Sequence, residues 1–543
     1  MIKSFSIANF KAFADLQRIP IRPLTLIYGV NSAGKSSILH SLILARHALE
    51  TGSLDVHRTQ VGGDAVDLGG FRQYVHRREA NRRLEWSAEF AAGDFTGPIA
   101  ELLAPVSNIT LSIHIGVLLD DEDRPLADAT PETHAFTIEA DGRSILRMSR
   151  RKDGKLQLDR LDHHHPVFRE ALRAIVELST TAADLKTSDY DTLDQVMSEI
   201  VPEITAEADS FIPRGLGRTD SFAAGEQLML FAVSKGRRQE DLAGAVRLYF
   251  PRKIDLMING IAEALGSELS RLQYLGPLRS YPPRHVAFSQ FHDPNWHSGG
   301  GYAWDVLRQD AKIRSRVNYW LGQGNHLATP YELRVRNLLT IDTVEPSYTE
   351  LIGNLEERFT SEEGYDGDLF GEIYSALREL KKQEAQLSDI SDLYLVDRRS
   401  GTPVSHRDVG IGISQVMPVL VAAFAARDRI HVIEQPEIHL HPALQAELGD
   451  VFIESALGDQ RNRFLIETHS EHLLLRVMRR MRETAGGKLP APIPPVRPQD
   501  VVVLYVEPDG ARSIIREMPL NERGELVKAW PGGFFEEGLR EVF

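Results

Sequence analysis

Residues Gly29 to Ser36 read GVNSAGKS, the pattern GxxxxGKS, between an apolar run and a segment of helical periodicity, and no other stretch constrains the fold as tightly. Leu24, Leu26 and Ile27 predict a short buried strand, and Ile38, Leu39, Leu42 and Ile43 recur at helical spacing behind the loop. Strand, loop and helix in this order predict a cradle for phosphates. Gly29 and Gly34 let the chain curl. The backbone N–H groups of Asn31, Ser32, Ala33, Gly34, Lys35, Ser36 and Ser37 can then point inward at an anion. Lys35 can reach the outer phosphates, and the Ser36 hydroxyl can sit on a magnesium ion. The N-terminus of the following helix adds roughly half a positive charge.

Composition narrows the setting. At 543 residues the chain exceeds one ordinary core, so two or three packing units are expected. Without cysteine there is no disulfide framework, thiolate metal site or cysteine nucleophile, which suits a reducing cytoplasm. The opening MIKSFSIANFKAF alternates apolar and polar residues as a strand does, unlike a signal peptide. The longest apolar run, Val416 to Ala426, is too short to span a bilayer. A net charge of −15 opposes non-specific binding of nucleic acid unless positive charge is concentrated locally.

Three regions follow from the patterning: residues 1–160, 161–390 and 391–543. The first starts with two strands, the phosphate loop, a helix and the Gly-rich turn VDLGGF (Val66 to Phe71). Alternation from about Leu84 to Met148, with turns at Asp141-Gly142 and Asp153-Gly154, predicts an antiparallel sheet. From Pro166 the spacing becomes helical, with Phe168, Leu172, Ile175 and Val176 on one face and Leu193, Val196, Ile200 and Ile204 on another. A second helical patch holds Val306, Leu307, Val317, Tyr319 and Leu321, then Leu355, Phe359, Ile373, Leu377 and Leu380 between Leu351 and Leu387. Gly and Pro interrupt these helices, so the middle region reads as a mainly helical inserted lobe without long coiled-coil heptads. The run His163-His164-His165 between Asp162 and Pro166 reads as an exposed turn, with metal binding the sharper alternative.

Strong patterning returns after Asp392. LYLVDRRSG reads as strand and turn, and Ser414, behind Gly410 and Gly412, as the N-cap of a buried helix. RIHVIEQP carries Glu434 to the end of an apolar strand, where a carboxylate beside a phosphate loop would hold magnesium. RFLIETHSEHLLLRV is another strand, ending near Thr468, His469 and Ser470. His469 either reaches a terminal phosphate or merely caps the next helix.

These segments resemble the ABC-type ATPase heads of the SMC, RecF and OLD (overcoming lysogenization defect) group. More closely, they are similar to AAA-family ATPases encoded beside nucleases or toxins in bacterial anti-phage operons. The resemblance runs through IANFKAF, the phosphate loop, VDLGGF, YLGPLRSYPPR, VGIGISQVMP, EQPEIHLHP, ETHSEHLLLRV and WPGGFFEEG. It implies an α/β P-loop NTPase of ABC-ATPase type, with a mixed sheet flanked by helices, an antiparallel sheet and a large helical insertion. ATP and Mg2+ are the implied ligands, and two copies would sandwich the nucleotide. By position, Lys35 and Ser36 resemble the phosphate-loop pair, Glu434 the magnesium-side acid, Ser414 the signature serine and His469 the switch histidine. His441 falls where related heads place an aspartate that communicates across the dimer.

One departure matters. Gln435 stands where the pattern puts the catalytic glutamate, and an amide cannot accept a proton from water. Loss of a positioned base costs typically ~10²–10⁴ in rate, so hydrolysis is expected to be slow, with Glu437 or the phosphate itself taking the proton. Gln73 reads either as a nucleotide-sensing glutamine or as a surface residue. Arg279 and Arg284 read as facing phosphate or a partner, or as an interdomain ion pair. The resemblance implies a cytoplasmic sensor or regulatory subunit of a defence complex, with a separate nuclease or toxin as effector. A RecF-like DNA clamp and a non-hydrolysing ATP-gated scaffold are the alternatives. Asp500, Glu507 and Asp509 read as surface and turn acids, not as a nuclease metal cluster.

Overall fold

Apolar runs that lack alternation become the strands of one sheet in the computed structural model, which describes residues 1–126, 129–179, 187–218, 238–280, 295–322, 326–338, 353, 371, 375, 390–406 and 408–531. The strand order is Leu272–Leu275, Ile430–Glu434, Arg463–Glu467, Leu24–Gly29, Val501–Asp509 and Arg512–Glu517. The first five run parallel and the last returns antiparallel. Leu24–Gly29 and Ile430–Glu434 are buried at every position, as expected where helices cover both faces of a parallel sheet. One such helix, Lys35–Thr51, buries Ile38, Leu39, Leu42, Ile43 and Leu44. Register pairs Glu434 with Glu467, and Glu467 with Ile27. Three strand ends therefore converge beside the phosphate loop, at the carboxyl edge where α/β sheets bind ligands.

The alternating segment forms an antiparallel sheet larger than expected, with nine strands. It includes the opening strand Ile2–Ala8 and continues through Leu156–Leu161 to Ile204–Glu207 and Arg214–Arg218. Trp86, Phe90 and Phe136 lie in its core. Helices Pro166–Ser179 and Arg238–Ser270 meet through Phe168 and Phe250, whose ring centroids are 5.7 Å apart. Their apolar residues belong to the same hydrophobic cluster as both sheets.

The chain divides into two compact units, Met1–Ser280 with Pro294–Gly300 and Ala422–Phe543, and Tyr281–Asp293 with Gly301–Val421. This differs from the boundaries expected at 160 and 390. Residues 161–280 carry helical periodicity, but they bury it against the antiparallel sheet and supply the strand Leu272–Leu275 to the central one. The second unit contains helices Tyr302–Gln309 and Ala311–Gly322, which bury Trp304, Leu307, Val317, Trp320 and Leu321. Its strands Tyr331–Leu338, Ile390–Asp397 and Thr402–Val404 form a three-stranded antiparallel sheet. The expected helical positions Leu355, Phe359, Ile373, Leu377 and Leu380, and Arg284, lie outside the described residues.

His431 sits inside the central sheet, 1% exposed and stacked on Phe464 with ring centroids 5.1 Å apart. Its Nε2 has no hydrogen-bond partner among the described residues, and burial, reinforced by Arg429, lowers its pKa from 6.5 to about 3. The unfolded chain therefore binds the proton more readily between those values, so stability is full above pH 6.5 and falls as pH drops toward 3. Wild type should lose about 2 kcal/mol from this residue between pH 7 and pH 5, at ~1.4 kcal/mol per pKa unit. Urea unfolding of His431→Phe at both pH values should show a smaller acid loss than wild type.

Candidate functional site

Gly29 leaves its strand with φ 148, and a Cβ built there would lie 2.2 Å from the Val506 carbonyl oxygen. Only glycine lets the loop leave the sheet this close to its neighbour. Ser32 at φ 60 and Gly34 at φ 94 complete the curl. Asn31 and Ser32 are exposed, whereas Ala33 and Ser37 are buried. Lys35 is folded back and 4% exposed. Its Nζ donates to the Gly29 and Val30 carbonyls at 3.2 and 3.0 Å and lies 3.9 Å from Glu467 Oε1. Burial lowers the Lys35 pKa, against the pull of Glu467, Glu437 and Glu434.

The structure brings Lys35 and Ser36 together with the ends of the two acid-bearing strands. Ser36 Oγ donates to Glu467 Oε2 at 2.7 Å. Burial, and secondarily the neighbouring Glu434, raises the Glu467 pKa to about 7. Glu434 Oε1 accepts from Tyr274 Oη at 2.9 Å and lies 3.2 Å from His40 Nε2. Lys11 Nζ is 2.9 Å from His40 Nδ1, and burial lowers the pKa of both Lys11 and His40. Arg279 donates to the Glu434 and Gln435 carbonyls at 3.1 and 3.3 Å, and burial lowers its pKa to about 10. These bonds hold the backbone of the acid strand.

Gln435 adopts φ 45, with its N–H bonded to the Glu467 carbonyl at 2.8 Å. Glu437 Oε1 accepts from the His469 backbone N–H at 2.7 Å. Among the described residues Glu437 Oε2 is buried without a hydrogen-bond partner, and burial raises the Glu437 pKa. His469 is half-buried, its pKa lowered by burial and then by Lys35. Ser470, not His469, caps the next helix, its Oγ accepting from Leu473 N–H at 3.1 Å. His441 is exposed and N-caps Pro442–Leu457.

Glu467, His40, Lys11 and Tyr274 were not singled out by the sequence. Glu467 had a signal, because RFLI ending in an acid repeats the arrangement of RIHVI ending in Glu434. Ser414 is corrected: its helix starts at Ile411, a turn earlier than expected, so Ser414 lies within it. It is 4% exposed, and its hydroxyl donates to the His406 carbonyl at 2.8 Å.

Gln73 lines a cleft of about 570 Å³ with Lys11, Asp67, Gly69, Arg77 and Arg78. His163 and His164 form a turn with His164 exposed, as expected, whereas His165 is buried and accepts from Val167 N–H. His163 and His164 pair with Asp194 at 2.6 and 3.1 Å. Glu507 pairs with Arg516, and Asp509 with Arg512. Among the described residues no helix is long and apolar enough to cross a membrane.

The donor set fits a hydrated magnesium ion with a polyphosphate. A hydroxyl and two carboxylates meet beside a curled loop, and one buried lysine faces three acids. The loop, strand order and flanking helices define an α/β P-loop fold. Residues 321–474 match the AAA_15 family, described as an AAA ATPase domain. No curated protein matches the chain. Among solved structures, an Smc head bound to the C-winged helix domain of ScpA is similar at 10% identity and TM-score 0.35, covering 96% of this chain and 98% of that one. A Pyrococcus furiosus Smc head with an extended coiled coil, bound to the C-terminal domain of ScpA, is similar at 9% identity and TM-score 0.34, covering 100% and 98%. The SMC head domain from Thermotoga maritima is similar at 8% identity and TM-score 0.32, covering 96% and 99%.

Proposed function

We propose that this chain is an ATPase that binds ATP with Mg2+ at the phosphate loop and hydrolyses it slowly. The observation that carries the reading is the meeting of Ser36 Oγ with Glu467, in register with Glu434 and beside Lys35. The loop N–H groups and Lys35 would hold the phosphates, and Ser36, Glu434 and Glu467 would hold the metal directly or through water. Bound magnesium would supply charge neutralisation at the phosphate oxygens. Glu437 is the base in this account. Its buried carboxylate has raised proton affinity, its Oε1 is fixed by the His469 backbone, and its Oε2 is left to accept from water. Gln435 can orient that water without taking its proton.

Single-turnover hydrolysis tests the assignment. Glu437→Gln should slow phosphate release by ~10²–10⁴ while leaving ATP affinity within about twofold, and Gln435→Glu should accelerate it by supplying a second base. Unchanged release in Glu437→Gln would remove Glu437 from the role.

The motif resemblance supports a wider reading: a nucleotide-dependent homodimer or higher assembly, acting in the cytoplasm as the sensor of a prokaryotic anti-phage system with a separate nuclease or toxin. Ser414, buried as it is here, would need the start of its helix to open before it could meet a nucleotide held by another copy. The net charge of −15 weighs against a DNA clamp, and strong stimulation of turnover by DNA would reverse that judgement.

A further inference from the structure

We propose that Lys11 and His40 form a positioning relay that sets the Glu434 carboxylate for a divalent cation. The inference rests on the metal–nucleotide reading above and extends it to two residues given no role there. Lys11 is presented by a tight turn whose backbone is fixed at both ends: its N–H donates to the Tyr74 carbonyl at 2.7 Å, and its own carbonyl accepts from His76 Nδ1 at 2.8 Å. The ammonium has donors and no acceptor. Facing it at 2.9 Å, His40 Nδ1 must therefore be the accepting nitrogen. The ring's proton then sits on Nε2, which donates to Glu434 Oε1 at 3.2 Å. Contact with Lys11 thus selects the tautomer that can hold the acid.

Tyr274 donates to the same oxygen from a third region of the chain, at 2.9 Å. Two donors on Oε1 fix the rotation of the carboxylate. Glu434 Oε2 accepts no hydrogen bond among the described residues and is the oxygen left for a cation or its water shell. His40 lies one helical turn beyond Ser36 on the helix Lys35–Thr51, so the relay and the loop hydroxyl are carried by one rigid element. Lys11 also lines the cleft that holds Gln73 and Asp67. The relay therefore joins the first turn of the chain to the metal-side acid.

Outer-shell partners of metal-binding groups are typically worth ~10–100-fold in metal affinity. The test uses the full chain, Mn2+ as the probe and a non-hydrolysable ATP analogue, with bound Mn2+ read by electron paramagnetic resonance. His40→Leu should weaken Mn2+ binding ~10–100-fold, and Lys11→Met should weaken it in the same direction. His40→Gln, whose amide can both accept from Lys11 and donate to Glu434, should recover most of the loss. Affinity for the analogue in EDTA should stay within about twofold in all three, as expected for residues that act through the metal-side acid. Wild-type Mn2+ affinity in His40→Leu and Lys11→Met would overturn the relay and leave the ATPase reading standing. Equal losses with and without metal would reduce both residues to structural roles. A wild-type chain that binds neither Mn2+ nor the analogue would overturn both proposals.

Discussion

Lys35→Met should lower ATP affinity by about 10²–10³-fold, the largest effect on binding of any single substitution at the site. Hydrogen bonds to charged groups contribute ~1.5–3 kcal/mol each, and the lysine can direct more than one at a polyphosphate. The Lys35 ammonium is held by the Gly29 and Val30 carbonyls and lies near Glu467. These contacts keep Lys35 folded over the loop, close to where phosphate oxygens would replace the carbonyls. Removing the charge leaves Glu467 without its cation in a buried setting. The acid already has a pKa of about 7, so proton uptake absorbs part of that cost, and the fold should survive. Isothermal titration with ATP and thermal melts of the two proteins check both halves of the expectation.

Glu467→Gln should have opposite effects on stability and on metal-dependent binding. The folded pKa of about 7 lies above the ordinary 4.5. The native state therefore binds the proton more tightly, and stability is full below 4.5 and falls as pH rises toward 7. At ~1.4 kcal/mol per unit, the ionised form costs about 3 kcal/mol above pH 7. Glutamine keeps the shape and removes the charge. The thermal midpoint of the variant should therefore exceed wild type at pH 8 and match it near pH 4.5. Affinity for ATP with Mg2+ should fall by at least ~10-fold, with little change in EDTA. A variant that loses stability at pH 8, or keeps its magnesium dependence, would contradict the role given to Glu467.

The phosphate loop was legible because its chemistry is local: Leu24, Leu26 and Ile27 lead to Gly29 at the strand end, and the helix behind it repeats at 3.6 residues. Glu434 was legible for a related reason, as an acid at the end of an apolar strand. Glu467 has the same pattern but is followed by Thr468, His469 and Ser470, and helix-capping residue types drew the reading away from it. Only the parallel register, which sets it between Glu434 and the loop strand, makes it part of the site.

Lys11, His40 and Tyr274 come from three separate segments, and no local spacing joins them. Between residues 161 and 280 the amphipathic helices and the short strands Ile204–Glu207, Arg214–Arg218 and Leu272–Leu275 carry no local mark of the sheets that they cover or join. Ser414 shows what a shifted boundary does: with the helix starting at Ile411, the expected cap becomes a buried hydroxyl within the helix.

The central claim is that remote strand ends and the phosphate loop make one site for magnesium and ATP in each chain. Isothermal titration of the wild-type chain with ATP, in the presence and absence of Mg2+, tests it most directly. The account predicts one saturable site per chain, strengthened by Mg2+, with that strengthening lost in Glu467→Gln and the binding itself lost in Lys35→Met. No saturable heat with wild type, or identical isotherms for wild type and Lys35→Met, would contradict it.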